Sequence, residues 1–171
     1  HFSVYDEVDW VLQLKGFVRE IYVHQKKYIG HCFGHQLLAE ALGGKVQKAA
    51  VGWCVGVHTF EVKKREAWMS PFQESFNVLM LCQDQVEELP PNSVVLAGGK
   101  DAPTGMFRVG TNMLGIQGHP EFTKEYDQVV MEDRAERIGR LKVKKAVESL
   151  TLQLDNALVI AWIEQFLEGG F

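Results

Sequence analysis

Gly30-His31-Cys32-Phe33-Gly34-His35-Gln36 is the segment that determines how this chain folds. A short apolar run precedes it, and a helical pattern over 34–42 follows it. Where a strand passes into a helix through a sharp turn, side chains two residues before and after the tip collide, so glycine is required at both places. Gly30 and Gly34 meet that requirement. The segment therefore predicts a strand, a tight structural turn and a helix, with Cys32 at the tip.

The position of Cys32 suits a nucleophile. Free amides and the positive dipole end at the start of a helix favour the thiolate, and the amide of Phe33 follows directly as a donor to a developing oxyanion. Two alternatives remain open. Cys32 is also compatible with a buried cysteine in a glycine-flanked turn, or with a metal site shared with His31 and His35. The metal site needs the helix to begin before Cys32 and lacks a fourth ligand, so no metal is predicted.

A second motif, Gly118-His119-Pro120-Glu121, comes directly after the apolar run 113–117. In extended chain, residues two apart project to the same side, so Glu121 is able to orient the imidazole of His119. A His-Pro-Glu sequence alone is equally typical of a surface turn. Its significance comes from the pairing with Cys32, because open α/β sheets build their sites where several strands end.

The rest of the chain mixes strand and helix patterns. Strand patterns cover 46–48, 56–62, 77–81, 93–97, 106–109 and 113–117, and helical patterns cover 5–20, 34–42, 124–138, 142–152 and 156–167. Asp155 is predicted to cap the last helix at its start, and Gly169-Gly170 to end it. This alternation predicts an α/β layered fold.

The composition excludes several classes of protein. With 171 residues, 46% of them hydrophobic, and a net charge of −4, the chain is predicted to be soluble, globular and one domain. No apolar run approaches the roughly 18 residues of a membrane span, and the start is no signal peptide. The basic run 134–145 is predicted to be a solvated helix face. Three cysteines without a CxxC pair favour a reducing compartment, so we predict a cytoplasmic protein. The charge pattern and the absence of a long apolar run predict no nucleic-acid or membrane partner.

Together the two motifs resemble those of the class I (triad) glutamine amidotransferases. Residues 30–36 are similar to the family's G-x-C-x-G-x-Q motif and residues 118–121 to its H-P-E motif. The resemblance covers most of residues 1–123 and favours stand-alone members similar to the glutaminase half of GMP synthase and to γ-glutamyl peptidases. It implies a flavodoxin-like, open, mostly parallel sheet flanked by helices, in a single domain over 1–171 with C-terminal helices over 124–168.

The resemblance also implies a reaction. Cys32 attacks the γ-amide carbonyl of glutamine or of another γ-glutamyl compound, His119 transfers protons, Glu121 holds His119, and the amide of Phe33 stabilises the oxyanion. No cofactor is predicted. The implied partners are a γ-glutamyl small molecule and, for an amidotransferase, a separate synthase subunit that receives ammonia. A γ-glutamyl peptidase acting alone and a non-catalytic regulatory module are the alternatives.

The resemblance further assigns substrate-binding residues. Gln36 matches a family position that holds glutamine, and residues 81–90 resemble a segment that lines the glutamine pocket, which includes Cys82 and Gln83. Cys82 stands where the family usually has histidine. Compared with the family, the chain is expected to lack the first third of the domain, including a glycine-rich loop that supplies the second oxyanion amide.

Overall fold

The computed structural model describes residues 2–169, and its helices and strands follow one another along that part of the chain. They are α1 (Asp9–Val23), β1 (Tyr28–His31), α2 (Phe33–Ala41), β2 (Lys45–Lys48), β3 (Cys54–Val62), β4 (Ser75–Cys82), β5 (Asp84–Glu88), β6 (Ser93–Gly98), β7 (Met106–Val109), β8 (Met113–Ile116), α3 (Lys124–Asp133), α4 (Ala135–Ile138), α5 (Arg140–Ser149) and α6 (Asn156–Glu168). Within residues 2–169, no helix is both long and apolar enough to cross a membrane.

The main sheet has six strands in the order β1-β8-β7-β6-β3-β4, and β2 pairs with β5 in a separate ribbon. The predicted α/β sheet flanked by helices is confirmed. Strand direction differs from the mostly parallel sheet that was expected: β1 and β8 pair in parallel, and the other four described pairs of this sheet are antiparallel. The reason is chain connection, because β6, β7 and β8 follow one another through short loops, and a parallel pair needs a long crossover.

Helices cover both faces of the main sheet. Met113 on β8 packs with α1 and α2, whereas Leu114 next to it packs with α6, because neighbouring side chains of a strand point to opposite faces. The aromatic residues of α6 pack into the core. Trp162 and Phe166 are fully buried, and Trp162 contacts Phe76 of β4 edge to face.

Two details at the C-terminal end differ from expectation. The helix predicted over 124–138 is interrupted at Arg134, which ends α3 and precedes the single turn of α4. The carboxylate of Asp155 does not cap α6; it accepts a hydrogen bond from the amide of Asn77 at 2.8 Å and so ties α6 to β4. Gly169 ends α6 in the left-handed conformation, as predicted, and Gly170 lies outside the described residues.

Candidate active site

The two sequence motifs meet at one edge of the sheet. β1 and β8 are neighbouring parallel strands, with His31 opposite Ile116 at their carboxyl ends. Cys32 follows β1 directly, and its amide donates to the carbonyl of Ile116 at 2.9 Å. His119 follows β8 by three residues and donates its amide to the carbonyl of Leu79 at 2.8 Å. A hydrogen bond to β8 and one to β4 therefore hold the two loops in place.

Cys32 occupies a strained turn. Its backbone has φ 45° and ψ −97°, outside the regions that L-residues prefer. The glycines on either side of it touch: a Cβ on Gly30 would lie 2.4 Å from the carbonyl carbon of Gly34. The hydroxyl of Tyr28 donates to the carbonyl of Gly34 at 2.8 Å and holds the turn closed. The predicted strand, turn and helix are all observed, and Phe33 begins α2, where the first amides have no acceptor inside the helix.

His119 is fixed and charged. Its Nδ1 lies 2.7 Å from Oε1 of Glu121, and the ring of Phe122 stacks on the imidazole at 4.0 Å. Burial alone would lower the pKa of His119, but hydrogen bonds with Cys32 and Glu121, together with their negative charges, raise it to about 9. With a pKa of about 9, the imidazole is protonated at neutral pH and pairs with the negative charge of Cys32.

Glu121 lies between two imidazoles, a feature that the sequence analysis missed. Its Oε2 is 4.0 Å from Nδ1 of His31. Burial would raise the pKa of Glu121, but the hydrogen bond with His119 outweighs it and lowers the pKa. Burial lowers the pKa of His31 despite that carboxylate, so His31 is neutral at pH 7. The hydrogen bond with His119 therefore keeps Glu121 ionised at neutral pH.

The histidines of the cysteine turn do not form a metal site. His35 is buried on the other side of β8, where Nε2 lies 2.8 Å from the carbonyl of Thr104 and the ring contacts Phe107 edge to face. Burial lowers its pKa to about 4. Across residues 2–169, no three histidine, cysteine or acidic side chains converge to hold a metal ion.

A cavity of about 200 Å³ lies beside Cys32, and we refer to it as the active-site cavity. The predicted oxyanion and substrate-binding residues all line it: Phe33, Gln36, Cys82 and Gln83. Charged and aromatic residues that the sequence analysis did not assign to the site also line it: Lys48, Trp53, Asp84, Arg134 and Arg137. Larger cavities, of about 340, 350, 450 and 450 Å³, lie elsewhere, and none of these four is lined by Cys32.

Gln36 and Cys82 have surroundings that the sequence did not indicate. The side-chain amide of Gln36 donates to the carbonyl of Asp84 at 2.6 Å and to Oε1 of Gln117 at 3.1 Å. Gln36 therefore ties α2 to the cavity wall, and both amide hydrogens bond to protein. Cys82 is buried opposite Cys54 in the β3–β4 pair, and burial raises the pKa of its thiol well above the usual range. Its thiol is neutral at pH 7.

The basic run 134–145 was predicted to be a solvated helix face, and for its first residues the structure differs. Arg134 and Arg137 line the active-site cavity, and the guanidinium of Arg137 lies over the ring of Trp53 at 5.2 Å. A signal existed in the sequence. Arg134 follows the apolar Met131 by three residues, and a helix that ran through both would place them on one side.

Asp127 is a buried carboxylate behind the site. It is fully buried, and neither of its oxygens has a hydrogen-bond partner. Burial raises its pKa to about 6, although the positive charge of His119 pulls it down. The sequence analysis missed Asp127 because its acidic pattern is typical of the first turn of a solvent-exposed helix.

Comparisons with known proteins identify the family of this chain. A family model described as Glutamine amidotransferase class-I matches residues 7–137. γ-Glutamyl peptidase 5 of Arabidopsis thaliana is 33% identical over 146 residues, which are 82% of this chain. The chain spans 57% of the length of that relative. The glutamine-hydrolyzing GMP synthase of Aeropyrum pernix is 28% identical over 144 residues, which are 80% of this chain and 28% of that protein.

A solved structure gives the fold independently. The glutamine amidotransferase of Thermotoga maritima matches with a TM-score of 0.79 over 99% of this chain and 75% of that one, at 20% identity. This likeness confirms the fold alone. Because the family model covers well over half of the residues, the chain belongs to the class I glutamine amidotransferases, a family of enzymes.

Proposed function

We propose that this chain hydrolyses γ-glutamyl amides through a thioester on Cys32, with His119 as acid and base and Glu121 as its orienting carboxylate. The observation that carries the proposal is the meeting of these three residues after β1 and β8. His119 bonds to Glu121 on one side and interacts with Cys32 on the other. This is the arrangement that an activated thiol requires.

The first half of the reaction forms the thioester. The Cys32 thiolate attacks the γ-carbonyl carbon, and a C–S bond forms while the carbonyl electrons move to oxygen. The amide of Phe33 donates to that oxyanion. When the tetrahedral intermediate collapses, the C–N bond breaks, and the amine leaves with the proton of the His119 imidazolium.

The second half releases glutamate. Neutral His119 takes a proton from a water molecule, and the hydroxide attacks the thioester carbon. The C–S bond breaks, Cys32 leaves as the thiolate, and the imidazolium is restored, so the site returns to its starting charge. Glu121 stabilises the imidazolium in the resting state and orients the ring throughout. A second oxyanion amide stays a prediction.

A second candidate differs in the fate of the amine. An amidotransferase releases ammonia from glutamine and passes it to a synthase, and the similarity to GMP synthase favours this candidate. A peptidase releases an amino acid or peptide, and the identity with γ-glutamyl peptidase 5 favours this one. The two candidates share Cys32 and the thioester, so they are separated by substrate and by the need for a synthase.

The test is substrate turnover by the purified full-length protein. Glycine release from γ-glutamylglycine by the isolated protein supports the peptidase, whereas ammonia release from glutamine that requires an added synthase supports the amidotransferase. The Cys32→Ala variant is expected to lose turnover of either substrate and to keep the far-ultraviolet circular dichroism spectrum. Cys54→Ala is the matched control, since Cys54 is buried on β3 away from the cavity lining.

Chemical labelling provides a check that needs no turnover. A halide analogue of glutamine should alkylate Cys32 and spare the buried Cys54 and Cys82, as read by peptide mass spectrometry. A catalytic role for Cys32 is ruled out if the other thiols react and Cys32 does not. We also propose a cytoplasmic location, because all three cysteines are free. Fractionation of cells that express the tagged protein tests that location.

A further inference from the structure

The charges around the active-site cavity are unequal. Lys48, Arg134 and Arg137 contribute three cations to its lining, and we refer to these three as the cationic rim. Asp84 contributes the one carboxylate among the cavity-lining residues that the structure describes. The lining therefore carries an excess of two positive charges beside the thiol of Cys32.

The cationic rim is available to a ligand. Within residues 2–169, no carboxylate lies within ion-pair distance of any of the three side chains. Two acidic residues nearby along the chain have other partners: Glu136 pairs with Arg140, and Glu132 accepts from Gln128. An excess of positive charge that the protein leaves uncompensated at a cavity raises the local concentration of anions.

The backbone holds the rim around the opening. Arg134 stands at the junction of α3 and α4, and Arg137 is steadied by its contact with the Trp53 ring. Lys48 is the last residue of β2 and lies opposite Asp84 in the β2–β5 pair. Asp84 is fixed in turn, because Ser3 and Tyr5 donate to its two carboxylate oxygens. Cations and carboxylate therefore face the same space from different elements.

These charges match a particular class of substrate. A γ-glutamyl group carries one α-ammonium and one α-carboxylate, which Asp84 and one member of the cationic rim are able to pair. Glutamine has no further charge and leaves two cations unmatched. A γ-glutamyl peptide has a second carboxylate at the end of its leaving group, and an arginine fork binds carboxylates in a bidentate manner.

We propose that the cationic rim of Lys48, Arg134 and Arg137 selects γ-glutamyl peptides whose leaving group ends in a free carboxylate, in preference to glutamine. This inference rests on the proposed hydrolysis of γ-glutamyl amides. It makes the rim a specificity determinant that acts on the leaving side of the substrate, separate from the Cys32–His119 chemistry.

The test compares two substrates that differ only in the terminal charge: γ-glutamylglycine and γ-glutamylglycinamide. We expect kcat/KM to be about five- to ten-fold higher for the acid, the size expected of a partly exposed ion pair, and the difference to shrink in high salt. In Arg134→Gln, Arg137→Gln and Lys48→Gln, the ratio of the two kcat/KM values should fall towards one, mainly through KM for the acid. Three separate variants keep the test decisive if one fails to fold.

Lys144→Gln is the matched control, because Lys144 is exposed and outside the cavity lining. It should leave the ratio unchanged. Equal kcat/KM values for acid and amide in the unsubstituted protein overturn the inference while the proposed hydrolysis stands. If the folded protein hydrolyses neither peptide nor glutamine, the proposed function fails and the inference fails with it.

Discussion

Single side chains set the protonation of the site, and Glu121 has the largest part in this. It is half exposed, yet it bonds to His119 at 2.7 Å and lies 4.0 Å from His31. Its charge is one of the causes that raise the pKa of His119 to about 9. An imidazolium that persists at neutral pH keeps a proton ready for the departing amine.

For Glu121→Gln we expect kcat to fall by about 100-fold, because the imidazole loses its orienting charge. The sign of the pH effect follows from the pKa of His119. The imidazolium is present below its pKa and disappears as pH rises through it, so the alkaline limb of kcat/KM belongs near pH 9. Removal of the carboxylate should move that limb to lower pH. The measurement is kcat/KM for γ-glutamylglycine from pH 5 to 10.

Glu20→Gln serves as the control for this prediction. Glu20 pairs with His24 on the surface at the end of α1. The substitution therefore removes a similar carboxylate–histidine pair far from Cys32. Its pH profile should match that of the unsubstituted protein. An unchanged alkaline limb in Glu121→Gln would show that Glu121 does not control the charge of His119.

Asp127 affects stability in the opposite direction to a paired carboxylate. Its pKa is raised from 3.8 to about 6, so its ionised form is disfavoured in the folded protein. The cost is absent below the unfolded pKa, grows between pH 4 and 6, and is complete above pH 6. Asp127→Asn should therefore raise the free energy of unfolding at pH 8 by about 1–3 kcal/mol and by little at pH 4.

Urea denaturation at the two pH values measures this difference. Asp133→Asn is the control, since Asp133 is an exposed carboxylate on the same helix. That variant should change stability by less than about 0.5 kcal/mol at either pH. A gain for Asp127→Asn that is equal at pH 4 and pH 8 would contradict the titration of a buried carboxylate.

Among the secondary-structure elements, the unit of β1, turn and α2 depends most closely on its glycines. A Cβ on Gly30 meets backbone atoms of Gly34 that have no room to move. We expect Gly30→Ala to lower the free energy of unfolding by about 3 kcal/mol and to abolish turnover, because the turn must open. Gly16→Ala is the matched control: nothing lies within 4 Å of its added Cβ, and alanine in helix α1 should stabilise by about 0.5–1 kcal/mol. Chemical denaturation and activity are measured on both.

The same unit explains which elements the sequence predicts well. The turn at Cys32 is specified by residues within two positions of it, so the turn can be predicted from this short stretch of sequence. The strand β5 was not predicted, because Asp84–Glu88 is mostly polar and is a strand only through its pairing with β2. The sequence does not predict the helix break at Arg134 either, since no glycine or proline marks it.

The residues of the site also divide into those that the sequence predicts and those that it does not. Cys32, His119 and Glu121 were predicted from spacing, because each motif has its own short pattern, and the structure brings the three together. The cationic rim was not, since Lys48 is distant in sequence from Arg134 and Arg137 and joins them only in the folded protein. The positions of Asp127 and Gln36 also depend on burial, which a polar residue in a sequence does not reveal.

Across the whole molecule, the site depends on packing that lies far from it. β8 precedes the His119 loop, and its Leu114 and Ile116 share one apolar cluster with Trp162 and Phe166 of α6. Disturbing α6 should therefore affect how firmly the end of β8 is held. We propose that residues 1–171 form one domain on this basis, since one core joins the C-terminal helix to the strand that precedes the site.

Trp162→Ala tests that dependence. Trp162 is fully buried and donates from its indole to the carbonyl of Pro71 at 2.8 Å, so truncation leaves a cavity and an unpaired carbonyl. We expect a loss of about 3–5 kcal/mol, a large share of the stability of a domain of this size. Leu167→Ala, at a half-exposed position on the same helix, should cost less than about 1 kcal/mol.

The measurements are urea denaturation and the temperature dependence of γ-glutamylglycine hydrolysis. If α6 supports the site through one shared core, Trp162→Ala loses activity at the temperature where its circular dichroism signal is lost, with KM unchanged below it. Loss of activity well below the unfolding transition would mean that α6 positions the His119 loop separately from global stability.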